Sequence, residues 1–139
     1  MKAILQDHNH YILRFDKGEE VVAGLTAFAK EQGIFAAAFF GIGACGSLDL
    51  AYYDLNHKNY ITKTFTEDLE IVSLNGNIAV KEDKPVIHVH GQFGRADFSA
   101  LAGHVMKLAV SVTCEVFLTK LEGKMARELN SDFNLNLLS

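Results

Sequence analysis

The sequence is short of breakers, staples and basic charge. Its one proline, Pro85, leaves no proline-rich tract, and a pass along the chain finds no linker, repeat or low-complexity segment. Residues 1–139 therefore read as a single domain. The two cysteines, Cys45 and Cys114, lie far apart without CxxC spacing, and the chain starts without an apolar signal. Both observations point to buried thiols in a reduced, cytoplasmic setting. Every long apolar stretch is broken by charge or glycine before the ~20 residues that a bilayer span needs, so no membrane partner is expected. Thirteen Lys and Arg face seventeen Asp and Glu, for a formal charge of -4 and a pI near 5.8. Without a basic excess or a Lys/Arg cluster, nucleic acid is not the default partner.

What is present is a 49% hydrophobic share, enough to bury a real core in one domain of this length. Tyr11 to Phe15 reads as a strand. Glu19 to Gln32 places Val21, Val22, Leu25, Phe28 and Ala29 at helical spacing, with Glu19 and Glu20 in the first turn, Lys30 in the last and Gly33 as the stop. Ile34 to Phe40 is almost wholly apolar, as for a strand buried on both faces. Gly41, Gly43 and Gly46 then mark a turn or bulge; they only partly match GxGxxG, and no helix follows to hold a pyrophosphate. Further strands are expected at 47–55, 60–66, 69–74 and 77–80, with Asn75-Gly76 as a tight turn between the last two. From His104 to Leu118 alternation puts Met106, Leu108, Val110, Val112, Cys114, Val116 and Leu118 on one face. A strand that long must bend or break. The order of elements is not a regular β-α-β alternation, so the class is α+β, with a curved, largely antiparallel sheet and one main N-terminal helix.

Chemistry concentrates in His88, His90 and His104. In a strand, residues two apart share a face, so His88 and His90 point together while Ile87 and Val89 point into the opposite layer. Gly91, Gly94 and Gly103 allow the chain to reverse and bring back a neighbouring strand carrying His104. Three neutral nitrogens would hold a divalent metal and leave one position open. By parity His104 belongs to the apolar face, either as a core histidine or as a ligand drawn inward. His8 and His10 flank Asn9 in a polar segment and read as surface residues.

Three stretches carry a family resemblance: Leu13-Arg14-Phe15-Asp16-Lys17-Gly18-Glu19-Glu20, Glu70-Ile71-Val72-Ser73-Leu74-Asn75-Gly76-Asn77, and His88-Val89-His90-Gly91 through Gly103-His104. In this order they resemble the PPC domain conserved in plants and prokaryotes. The resemblance implies an α+β homotrimer. It also implies a zinc or other divalent transition-metal site at His88, His90 and His104, and it brings the label of a DNA-binding protein. The fold is further similar to that of the zinc lyase acetolactate decarboxylase, although the spacing to the third histidine differs. The AT-hook of the plant relatives is missing here, and their Gly-Arg-Phe-Glu core reads Glu67-Asp68-Leu69-Glu70, which removes attraction for phosphate.

Two functions follow from these residues. One is a metal-containing protein that binds or transforms a small carbonyl or carboxylate compound. Glu70 is then its candidate catalytic carboxylate, unless it is a solvated or ion-paired strand residue. Arg14 is a candidate for binding an anionic substrate, unless it pairs with Asp16 or a neighbouring subunit. The other is a trimeric DNA-associated regulatory module.

Overall fold

The computed structural model describes residues 1–139 as nine strands and one helix. In chain order these are β1 (Lys2–Gln6), β2 (His10–Asp16), α1 (Val21–Glu31), β3 (Ala37–Asp54), β4 (Asn59–Phe65), β5 (Leu69–Lys81), β6 (Lys84–Gly94), β7 (Ala100–Lys120), β8 (Arg127–Asn130) and β9 (Leu135–Leu138). Seven strands form one antiparallel sheet in the order β1-β2-β7-β6-β5-β3-β4. Because β7 also pairs with β3, the strands β3, β5, β6 and β7 join in a ring, so the curvature expected of this α+β sheet runs to closure. β8 and β9 form a separate two-stranded hairpin, which is bridged to β5 at Val80 and Ala126. The one helix is too short to cross a membrane.

Bulges make the ring close. Straight strands the length of β3 and β7 would reach ~60–70 Å, more than a small domain can hold. Between them the register shifts three times, after Gly43, Cys45 and Asp49. At Gly43 a Cβ would lie 2.1 Å from the Thr113 carbonyl oxygen, so only glycine lets the two backbones approach there.

The helix packs on the inner face through Val21, Leu25, Phe28 and Ala29, against a core that includes Leu13, Phe15, Phe93, Leu108 and Val116. Each such large side chain contributes ~1.5–3 kcal/mol by leaving water. Glu20 is the N-cap and not a first-turn residue as its position suggested: its carboxylate accepts from the Val22 and Ala23 amides at 3.0 and 2.6 Å. It also accepts from the Leu108 amide at 2.9 Å, tying the helix start to β7. Gly33, with φ of 60°, ends the helix region as expected.

Three sequence expectations are corrected. Asn75-Gly76 is no turn; β5 runs straight through it, and the real reversal is at Glu82 and Asp83, whose φ of 51° and 60° make the two-residue connection to β6. Gly76 is needed for another reason, since a Cβ there would meet the Phe39 ring at 2.4 Å and the His88 carbonyl oxygen at 2.5 Å. The alternation along β7 is also not continuous. Opposite Asp49 and Leu50 the register passes from Lys107 to Val105, so Val105 is buried and Met106 exposed. A second irregularity leaves Val112 outside. Finally, the apolar run before Gly41 is covered on one face only. Phe39 is buried, whereas Phe40 is 55% exposed and stacks on Phe117, with Ile42, Val72 and Val112 also open beside it.

Candidate metal centre

Val89 and Phe93 anchor β6 in the core, which leaves His88 and His90 on the opposite, outer face. His90 lies directly across the β6–β7 ladder from His104, and Gly91 across from Gly103. The bulge near Met106 decides where His104 points. It reverses the parity of β7, so His104 leaves the apolar face assigned to it by alternation and joins the other two histidines outside. The ligand atoms of the three residues lie within 4.8 Å of one another. Their ring centroids form a near-equilateral triangle of 5.1, 5.2 and 5.3 Å.

The donor set suits a divalent transition metal. Burial pushes the His104 pKa down to about 4, helped by the charges of His88, His90 and Arg127. Burial also lowers that of His88, with Arg127 and His90 adding to the effect. Both are therefore neutral at pH 7, with lone pairs free. Nδ1 of His104 is buried and has no hydrogen-bond partner, an omission that a metal bond would repair.

These rings line a cavity of about 580 Å³ on the outer face. Tyr60 of β4 lies 5.0 Å from the His104 ring, ring centre to ring centre. The β8–β9 hairpin forms another wall with Arg127, Leu135 and Asn136. Neither Tyr60 nor Arg127 stood out in the sequence: Tyr60 resembles any strand aromatic, and Arg127 sits in a mixed, charged stretch with no motif around it.

Glu70 and Arg14 do not join the cluster. Glu70 is exposed on β5 and pairs with Gly94, five positions from Asn75, the residue that faces His90. That separation is roughly 15 Å along the strand. Arg14, on β2, donates from Nε to Asp16 at 2.9 Å, the pairing that was its alternative role. His8 and His10 are exposed, and His10 pairs with Asp7. Cys45 and Cys114 are free and buried.

Fold and site together define a small α+β domain with a histidine triad on the outer face of a closed antiparallel sheet. The chain belongs to the Plants and Prokaryotes Conserved (PCC) domain family, which matches residues 4–122. Among solved structures, a candidate DNA-binding protein from Bacteroides thetaiotaomicron is 36% identical with a TM-score of 0.94, over 97% of this chain and 94% of that one. A metal-containing protein from Archaeoglobus fulgidus is 35% identical with a TM-score of 0.89, over 100% and 99%. A plant- and prokaryote-conserved protein from Pyrococcus horikoshii is 28% identical with a TM-score of 0.90, over 100% and 97%. Acetolactate decarboxylase from Bacillus subtilis subspecies spizizenii shares the fold alone, at 15% identity and a TM-score of 0.53 over 88% of this chain and 57% of that one. No curated protein matches the sequence.

Proposed function

We propose that this protein is a zinc-binding homotrimer whose histidine triad binds or transforms a small carbonyl or carboxylate compound. The observation that carries the metal reading is the convergence of His88, His90 and His104, whose ligand atoms lie within 4.8 Å of one another, together with a buried, partnerless Nδ1 on His104. The metal-containing Archaeoglobus relative supports it. Three protein ligands would leave a coordination position open, and a divalent ion held by these histidines would supply Lewis-acid polarisation of a carbonyl oxygen in the cavity they line. The chain's own part is to hold the imidazoles neutral, to fix their orientation through the β6–β7 ladder, and to shape a cavity of small-ligand size. The trimer is supported by the open apolar stripe of Phe40, Ile42, Val72 and Val112, a patch that a solitary chain would leave wet. The free, buried thiols favour a reduced, cytoplasmic setting.

Elemental analysis of untagged purified protein tests the metal. Near-stoichiometric zinc is expected, and His88→Ala or His104→Ala abolishes its retention while circular dichroism stays that of the folded sheet. Full metal content in both variants refutes the site. The second reading, a DNA-associated regulatory module, is favoured by the name of the Bacteroides relative and opposed by the net charge of -4.

A further inference from the structure

Four buried side-chain atoms in the chain lack any hydrogen-bond partner: Nδ1 of His104, Nε of Arg127, Oδ1 of Asn136 and Oγ1 of Thr113. The first three belong to residues that line the one cavity beside the histidine triad. Arg127 is the most telling. It is 9% exposed, the one charged side chain among the buried residues, and takes part in none of the chain's salt bridges. Its two Nη groups donate to neutral acceptors only, the Asn136 carbonyl at 3.0 Å and Asn77 Oδ1 at 2.8 Å. A guanidinium buried without a counter-charge is costly, and two neutral acceptors compensate it only in part.

The placement is what gives this cost a use. Asn77 pairs with His88 across the β5–β6 ladder, so the hydrogen bond from Arg127 reaches the strand that faces the triad. Arg127, His88 and His104 line the same cavity. A fixed positive group against a cavity with no carboxylate in its lining attracts an anion from solution. The walls set the size and character of that anion. Tyr53, Tyr60, Ile87, Leu135 and Leu137 are apolar or amphipathic, which suits a short organic acid more than a heavily hydrated inorganic ion. An Arg fork also matches the plane of a carboxylate.

We infer that Arg127 is the anion-recognition residue of this cavity and that the ligand it selects is a small organic carboxylate carried on an apolar stem. The inference deepens the small-ligand reading above and rests on it for the location of the site, but it does not require the metal. It moves the substrate-binding role from Arg14, which is neutralised by Asp16, to an arginine with no acidic partner.

The test compares butyrate with its neutral isostere butyramide by isothermal titration, on both metal-stripped and zinc-supplemented protein. Wild-type protein is expected to prefer butyrate at least tenfold in the metal-stripped form, and Arg127→Gln to lose that preference. Equal binding of the two probes to wild type, or a preference that survives in folded Arg127→Gln, overturns the inference. If Arg127→Gln does not fold, unsubstituted protein still decides: the Arg127 Nε–H nuclear magnetic resonance signal shifts on adding butyrate and not on adding butyramide. An Nε–H signal unmoved at saturating butyrate also overturns it. Inorganic phosphate competing more than tenfold better than butyrate would overturn the carboxylate class. Zinc content of His88→Ala and His104→Ala is read separately, so failure of the metal site and failure of the arginine are distinguishable.

Discussion

Gly76→Ala connects packing to the triad in a single methyl group. The added Cβ would start 2.5 Å from the His88 carbonyl oxygen and 2.4 Å from Cζ of Phe39, where real contacts essentially never fall below 3.0 Å. Phe39 is buried, and the carbonyl belongs to a paired strand, so neither has free space to retreat into. The backbones of β5 and β6 must separate by at least half an ångström. Overpacking of this kind costs ~1–3 kcal/mol. For a domain of this size that lowers the thermal midpoint by roughly 3–15 °C. The same displacement shifts His88 and His90 relative to His104, which sits on β7 at the other side of β6. Metal–ligand distances tolerate only ~0.2 Å, so zinc affinity should fall on the order of tenfold or more. Gly94→Ala, on the adjacent strand β6 that carries His88 and His90, is the control, because its Cβ would meet Val72 at 3.4 Å and Glu70 at 3.7 Å, ordinary contact distances. Scanning calorimetry and a competitive zinc titration on both variants give the answer. An unchanged midpoint in Gly76→Ala, or equal damage from Gly94→Ala, refutes the packing argument. A lowered midpoint with unaltered zinc affinity refutes the coupling.

Burial pushes the Cys45 thiol up to about 11 and the Cys114 thiol up to about 12, against 9.0 for a free thiol. The unfolded chain therefore releases these protons first: the stabilisation is whole below pH 9 and is lost towards pH 11–12, at up to ~1.4 kcal/mol per pH unit for each thiol. Urea melts from pH 8 to 10.5 should show this fall, and a Cys45→Ala/Cys114→Ala protein that declines just as steeply would contradict it. By light scattering at micromolar concentration the protein should run as the proposed trimer, and Val112→Asp, which puts a charge on the open stripe, as a monomer; a trimeric variant would refute this interface, and a monomeric parent the trimer itself. In gel shifts at ~150 mM salt, duplex DNA should bind no tighter than the micromolar non-specific range, and a nanomolar complex would restore the regulatory reading.

The single helix and the α+β class were legible because Val21, Leu25, Phe28 and Ala29 repeat at one clear period and Gly33 stops it. The strand-face argument for His88 and His90 also held, since no bulge separates them. His104 was misplaced by the same argument, because parity counts residues and a bulge spends one without advancing the ladder. Asn75-Gly76 misled for a related reason: glycine answers to crowding as well as to turns, and here Phe39 and His88 demand it. The true turn at Glu82-Asp83 carries no glycine to announce it. Arg127 was invisible because its meaning lies in a missing partner, and a sequence shows which charges exist without showing which of them end up unpaired.

The ring closure through β7 also has a consequence in time. Tyr11 and Phe39 both pair with Leu118, so β2 and β3 wait for a neighbour synthesised some eighty to a hundred residues later. At ~5–20 residues per second that wait is on the order of 4–20 s. During it β3 has an unpaired edge beside Phe40 and Ile42, a template for the wrong strand. Dominance of such distant pairings makes folding slow once the chain is complete. Yield in the cell is then governed by what shields the nascent β3 edge before β7 emerges.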